Sequence, residues 1–274
     1  MTSIWVESDS FVFSLSPHKL CIQHLKMNFT EFLKFSHGNG KLKKRLIFSL
    51  PAGKTCPGAL FCKSFAVLQP DGKRKIQDGK DTKFRCFAAS SEVQYDAVYN
   101  LRATNMELLM QSVINASMAD LIDASIQKHR RKNEKLVRIH ESGDMFSMAY
   151  LLAWIEVAKR NPDLIFYCFS KSLDLFLGLE LPSNFFLTAS KGGKFDYLIE
   201  EGHFPRYSVV VKTEEEAAAL GLEVDHDDSH CFGDKPFALL VHGTQPKGSD
   251  WGKAISARRK AGKFTGYSSK KAAV

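Results

Sequence analysis

The feature that most constrains this chain is a series of short apolar runs separated by stretches long enough to hold a helix. LIFSL (46–50), LVRIH (136–140), LIFYCF (164–169), FFLTA (185–189), YSVVV (207–211) and FALLVH (237–242) are nearly continuous in Val, Ile, Leu and Phe rather than alternating. Such strands are expected where both faces of a sheet are covered, and crossovers of a dozen or more residues favour parallel pairing. Helical patterns lie between the runs. Tyr150, Leu151, Trp154, Val157 and Ala158 share one helix face, and Val98, Leu101, Leu109, Val113, Leu121 and Ile122 recur through one or two helices in 90–128. Shorter helices are expected at 173–179 and 195–199. Thr213 followed by three glutamates marks another helix start, with Gly221 at its end. LEV (222–224) is read as one more strand. Repeated β-α units admit a closed barrel, an open barrel or a doubly wound sheet. The order of elements predicts an α/β fold, a partial (βα)6-type barrel with mostly parallel strands.

A chain of 274 residues suits one large domain. The expected division is an N-terminal extension (1–40), a barrel-like domain (41–262) and a basic, Gly- and Ser-containing tail (263–274). PDGKRKIQDGKD (70–81) reads as the polar excursion of a long irregular loop. The longest uncharged apolar stretch, MFSMAYLLAWI (145–155), has eleven residues. Crossing a bilayer takes about twenty, so no membrane partner is expected. Glu7 and Asp9 precede any apolar run and no basic segment opens the chain, which argues against a signal peptide and for a cytoplasmic location. Thirty-eight Lys and Arg against thirty Asp and Glu leave a net charge of +8, which suits polyanionic partners. The basic clusters at 41–45, 73–75, 128–132 and 258–260 lack aromatic interleaving, so a nucleic-acid partner rests on charge alone.

The chemistry-bearing residues fall at strand ends. Cys56 and Cys62 have five residues between them, and Cys86 follows after twenty-three more. Their loop leaves the C-terminal end of the first strand, where α/β barrels build active sites. Three thiolates there can hold an iron–sulfur cluster with one iron open; the alternative is three unrelated buried cysteines. Zinc would need four such donors, and no CxxC pair is present. Cys21, Cys168 and Cys231 are not expected to be needed for metal, with Cys231 the one alternative as a fourth ligand.

The second strand ends in His140, Ser142, Gly143 and Asp144. The glycine permits close backbone approach to a ligand and the carboxylate can hold an ammonium or hydroxyl group, unless Asp144 merely caps a helix. Ser170 and Lys171 close the third strand, and Thr188, Ser190 and Lys191 the fourth. DHDDSHC brings Asp225, His226, Asp227, Asp228 and His230 together. Metal binding, acid–base work and ribose anchoring all suit that density, and so does a plain capped turn. An extended segment would set Asp225 and Asp227 on one side, with His226 and Asp228 on the other. HGTQPKGS (242–249) offers Gly243 and Gly248 for an anion-binding turn.

Taken together, FSLPAGKTCPGALFCKSFA, FRCFAAS, VRIHESGD, FYCFSKS, NFFLTASKGGKFDYLI, LEVDHDDSH and FALLVHGTQP resemble the gene product 88 family of phages and plasmids. The order of a cysteine loop, CFA, a strand ending in a Gly-acid pair and a strand ending in FSKS is also similar to phage members of the radical S-adenosylmethionine (SAM) superfamily. That likeness implies a 4Fe–4S cluster on Cys56, Cys62 and Cys86. It implies SAM held by Ser142, Gly143 and Asp144 in a pocket lined by Ser170 and Lys171. Ser190, Asp225, Asp227, Asp228 and His230 follow strand ends on the same barrel face and are expected to join the cofactor site by that placement. The spacing departs from the usual CxxxCxxC. The implied activity is hydrogen abstraction from an unidentified small-molecule or macromolecular substrate. The alternative is a non-catalytic metal-binding phage protein that contacts nucleic acid or a host protein.

Overall fold

β1 (Arg45–Ser49) is buried at every position, as its composition requires. The computed structural model describes residues 29–38, 42–114 and 117–263. After β1 the chain passes through the cysteine loop into β2 (Ser64–Leu68) and β3 (Arg74–Asp78), then α1 (Phe87–Gln94), α2 (Asp96–Ile114) and α3 (Met118–His129). Strands and helices then alternate: β4 (Leu136–Ser142), α4 (Met148–Arg160), β5 (Ile165–Ser170), β6 (Phe185–Ser190), α5 (Tyr197–Glu200), β7 (Tyr207–Val211), α6 (Glu214–Ala219), β8 (Phe237–Leu240) and α7 (Asp250–Lys260). The main sheet runs β1-β4-β5-β6-β7-β8, parallel at each pairing. The fold is therefore α/β with a six-stranded sheet in sequential order, and the sheet does not close into a full barrel.

Both edges are blunted, which protects them against pairing with other chains. Ser36 bridges Ile47 on β1, with hydrogen bonds of 2.9 and 2.8 Å, and Val224 bridges Ala238 on β8. LEV is thus a single bridge rather than a strand, because the chain turns away immediately after Asp225. Residues 29–38, placed by sequence in the extension, pack on the domain: Leu33 and Phe35 are buried and Leu33 N donates to Ser125 Oγ at 2.9 Å. The rest of the expected extension (1–28 and 39–40) and residues 264–274 of the tail lie outside the described residues.

Two further expectations change. The polar excursion forms an antiparallel hairpin, Ser64 opposite Asp78 through Leu68 opposite Arg74. Pro70-Asp71-Gly72 makes its turn, with Gly72 at φ +77° and Asp71 Oδ1 accepting from Lys73 N at 3.0 Å. The helix expected at 173–179 is only a short 3-10 turn, Leu173–Leu175. Thr213 does cap α6, accepting from Glu216 N at 3.2 Å.

The two faces of the sheet are covered differently. Phe166 and Cys168 of β5 and Phe185 and Leu187 of β6 join Trp154, Tyr150, Phe48 and Leu46 in the main core under α3 and α4. Tyr167, Phe169 and Phe186 alternate to the other face, where Cys231 and Phe232 fold back as a plug together with Phe237. Full burial of each large side chain in the main core is worth about 1.5–3 kcal/mol.

Candidate functional site

The cysteine loop is positioned by close backbone packing. Leu50 N donates to Ser142 O and Ser142 Oγ to Leu50 O, both at 2.8 Å, which ties the ends of β1 and β4. A side chain at Gly58 would begin 2.1 Å from Lys171 O, so the loop lies directly on the end of β5. Phe61 N and Lys194 N donate to Gly192 O and Gly58 O at 2.9 Å, fastening the loop to the segment after β6.

Cys56, Cys62 and Cys86 line one pocket at the C-terminal edge of the sheet, together with Ser142, Gly143, Asp144, Lys171 and Ser190. Cys86 is the N-cap of α1, where its side chain makes no cap hydrogen bond, and the nearby Ala88 and Ala89 amides favour thiolate. Burial outweighs them and, with Cys62 nearby, pushes Cys86 up to about 11. Burial also raises Cys56, helped by Asp144 and then by Cys86 and Cys62. The three thiols are electrostatic neighbours. No group of three or more His, Cys, Asp and Glu side chains among the described residues is arranged to hold a metal ion. Cys168 and Cys231 are buried free thiols. Cys21 lies outside the described residues.

The end of β4 is bulged. Ile47 pairs with Arg138 and Ser49 with Ser142, so one residue of β1 spans three of β4. His140 absorbs the mismatch at φ +73°, a costly conformation for a non-glycine residue and one that marks functional sites. Burial, and then the Arg138 charge, hold its imidazole down to about 3, so the ring is neutral; Nε2 lies 2.9 Å from Tyr150 Oη. Gly143 follows at φ +91°, where a Cβ would lie 2.7 Å from both Leu50 Cβ and Thr55 Oγ1. Asp144 accepts from Ser170 Oγ at 2.6 Å, Met145 N at 2.7 Å and Lys171 N at 2.8 Å. Burial still raises its pKa against these donors. Ser170 supports Asp144 rather than lining the pocket, while Lys171 Nζ donates to Ser190 Oγ.

The acidic segment splits. Asp225, His226 and Asp228 line the pocket; Asp227 and His230 do not. Asp228 adopts φ +64° and starts a short 3-10 turn, Ser229–Phe232, so the expected alternation of an extended strand does not arise. Asp228 accepts from Arg138 and, at 3.0 Å, from Tyr167 Oη, with Arg45 Nη1 at 3.6 Å. Asp227 Oδ1 caps the turn by accepting from Ser229 N at 3.1 Å. His230 Nε2 faces Glu223 at 3.1 Å. The segment 242–249 likewise serves structure: Ser249 caps α7, accepting from Gly252 N at 3.1 Å, and Gln245 bonds the backbone of Arg85. Sequence reasoning missed Arg138, which lines the pocket, and Arg45 beside it. Arg138 was signalled as a single arginine within the apolar run LVRIH, whereas Arg45 was hidden at the end of the basic run KLKKR.

The family profile described as Gene product 88 matches residues 30–264, which span the described sheet and the whole pocket. The chain belongs to the gene product 88 family. Among relatives, the Gene 88 protein of Mycobacterium phage L5 is 36% identical over 90 residues, 31% of this chain and 38% of that protein. The Gene 88 protein of Mycobacterium phage D29 is 31% identical over 93 residues, again 31% and 38% of the two chains. The matched region thus spans well under half of these curated relatives. No solved structure matches. No helix among the described residues is long and apolar enough to cross a membrane.

Proposed function

We propose that this gene product 88 protein is an iron–sulfur enzyme of the radical SAM type, abstracting hydrogen from a substrate bound in the pocket. The observation that supports it is the convergence of Cys56 and Cys62, from the loop after β1, with Cys86, at the start of α1, on one pocket at the C-terminal edge of an open parallel sheet. The donor chemistry fits the group. Thiolates select iron–sulfur clusters over hard cations, and cluster thiolates each bind a different iron, so they stand further apart than donors sharing one ion. Cys56, Cys62 and Cys86 bring three such thiols to one pocket.

Cys56, Cys62 and Cys86 would hold the cluster, and SAM would chelate its open iron. When bound, the pair supplies reductive cleavage and a hydrogen-abstracting radical. The chain's own residues bind and orient. Gly143 lets Leu50 and Thr55 of the cysteine loop pack against the end of β4, and Asp144, held by three donors, presents negative charge to a SAM ammonium group. Lys171, buried beside Ser190, offers a cation to an anionic group. Phe84 and Phe87 help to exclude water at the pocket wall. Asp227 and His230 have no part in this arrangement.

Anaerobically reconstituted protein, reduced in the presence of SAM, should release 5′-deoxyadenosine, and Cys86→Ser should abolish the release. Cluster-loaded protein that leaves SAM intact would overturn the radical part of the proposal.

A further inference from the structure

We infer that the rim of this pocket binds single-stranded nucleic acid, which makes a polynucleotide the substrate class of the proposed enzyme. Only the word substrate rests on the iron–sulfur reading; the binding does not. The net charge of the chain is not spread evenly. Residues 63–85, which contain the β2–β3 hairpin, have seven Lys and Arg against three Asp, a net of +4. Residues 247–263, which contain α7, have six against one, a net of +5. The remainder of the chain holds twenty-five against twenty-six and is nearly neutral. The excess is exposed: Lys73, Lys75, Lys80, Lys247, Arg259 and Lys260 all face solvent.

Both segments meet at the pocket. Arg85 lines it and pairs with Asp78 at the end of β3 at 2.8 Å. Arg85 N also donates to Gln245 Oε1 at 2.8 Å, on the approach to α7. Phe84, also in the pocket wall, packs on Trp251 of α7 with ring centroids 4.8 Å apart. A basic rim of this kind tracks a phosphate backbone, and its affinity should carry the salt dependence of counterion release.

The surroundings favour a polynucleotide over other polyanions. None of the large exposed apolar side chains lies on α7, and Leu68 alone lies on the hairpin, too little apolar surface to enter a membrane interface. Phe84, Phe87 and Phe169 line the pocket, and Phe87 lies against His242 at 4.2 Å. Aromatic walls accept the flat face of a base turned out of a strand. In the same pocket the Oδ2 atom of Asp225 is buried without a hydrogen-bond partner, an acceptor suited to the donor edge of a base.

Fluorescence anisotropy with a short labelled single-stranded oligonucleotide, on the full-length protein with and without reconstituted iron, tests this. Wild type should bind in both forms. The charge reversals Lys73→Glu/Lys75→Glu and Arg259→Glu/Lys260→Glu should each weaken binding about tenfold and flatten its salt dependence. Lys132→Glu/Lys159→Glu, with the same charge change on surface away from the rim, should stay within about twofold. The milder Lys73→Gln/Lys75→Gln should give a smaller loss in the same direction, which separates the effect from misfolding. Equal losses in rim and control variants, or no binding, would overturn the inference. So would displacement of the oligonucleotide by polyglutamate or anionic phospholipid vesicles at equal charge. Iron-free protein that binds the oligonucleotide would keep the rim while the cluster reading fails, and iron-loaded protein that does not bind would do the reverse.

Discussion

The two faces of the parallel sheet solve the same burial problem with different chemistry. Under α3 and α4 the core is apolar: Trp154, Phe48, Phe166, Val137 and Ile139 exclude water with few polar atoms to satisfy. On the other face, two arginines, a tyrosine and an aspartate are buried together, and Arg138 and Asp228 among them line the pocket. The side chains of Arg45, Arg138 and Asp228 are each less than a tenth exposed. An all-apolar interior would be no less stable, since a buried ion cluster gains little over well-packed hydrophobic residues. The charged face therefore serves the pocket above it. It fixes Asp228 and the 3-10 turn that plugs this side, and it sets a positive field beside the neutral His140.

This contrast can be broken from either side. The largest effect is expected in the apolar face: Trp154→Ala, which empties the centre of the core, should cost about 4 kcal/mol in urea unfolding. In the charged face Asp228→Asn keeps the left-handed backbone, but leaves Arg45 and Arg138 without their shared carboxylate. It should cost about 3 kcal/mol, and adding Arg45→Met should recover part of the loss because one uncompensated charge is removed. Loss without any recovery would mean that Asp228 acts through shape rather than charge.

A smaller and more local effect comes from His140. Its folded-state value is held at about 3, whereas an unfolded histidine titrates near 6.5. The unfolded chain thus takes up a proton that the folded chain refuses, so this contribution to stability is complete above pH ~6.5 and is lost as pH falls toward 3. The slope approaches 1.4 kcal/mol per pH unit. His140→Asn, which tolerates positive φ, should remove that slope when the stability curves of the two proteins are compared. Parallel curves would show that the imidazole is not held neutral.

The apolar face was the more legible in the sequence. Continuous apolar runs and the Tyr150–Trp154–Val157 spacing report burial directly, and they led to parallel order and to α4. The hairpin was misread as irregular because its strands are short and half exposed, although Pro-Asp-Gly signalled the turn. The charged face was only partly legible. Strand ends gave Ser142, Gly143, Asp144, Lys171 and Ser190, which the fold brings together with Cys56, Cys62 and Cys86. Asp227 and His230 were misplaced because nothing local in DHDDSHC signals that Asp228 turns left-handed; its pairing with Arg45 and Arg138 spans most of the chain. The bulge at His140 was hidden for a similar reason, since register is a property of two strands.

The most direct test of the central claim is the iron and acid-labile sulfide content of anaerobically purified protein, read with its absorption near about 400 nm. Wild type should carry about four irons per chain. Serine at Cys56, Cys62 or Cys86 should remove most of the iron and the absorption band, while serine at Cys168 or Cys231 should leave both unchanged. Iron content that survives Cys86→Ser, or that falls equally with Cys168→Ser, would contradict the assignment of the three thiols to one cluster.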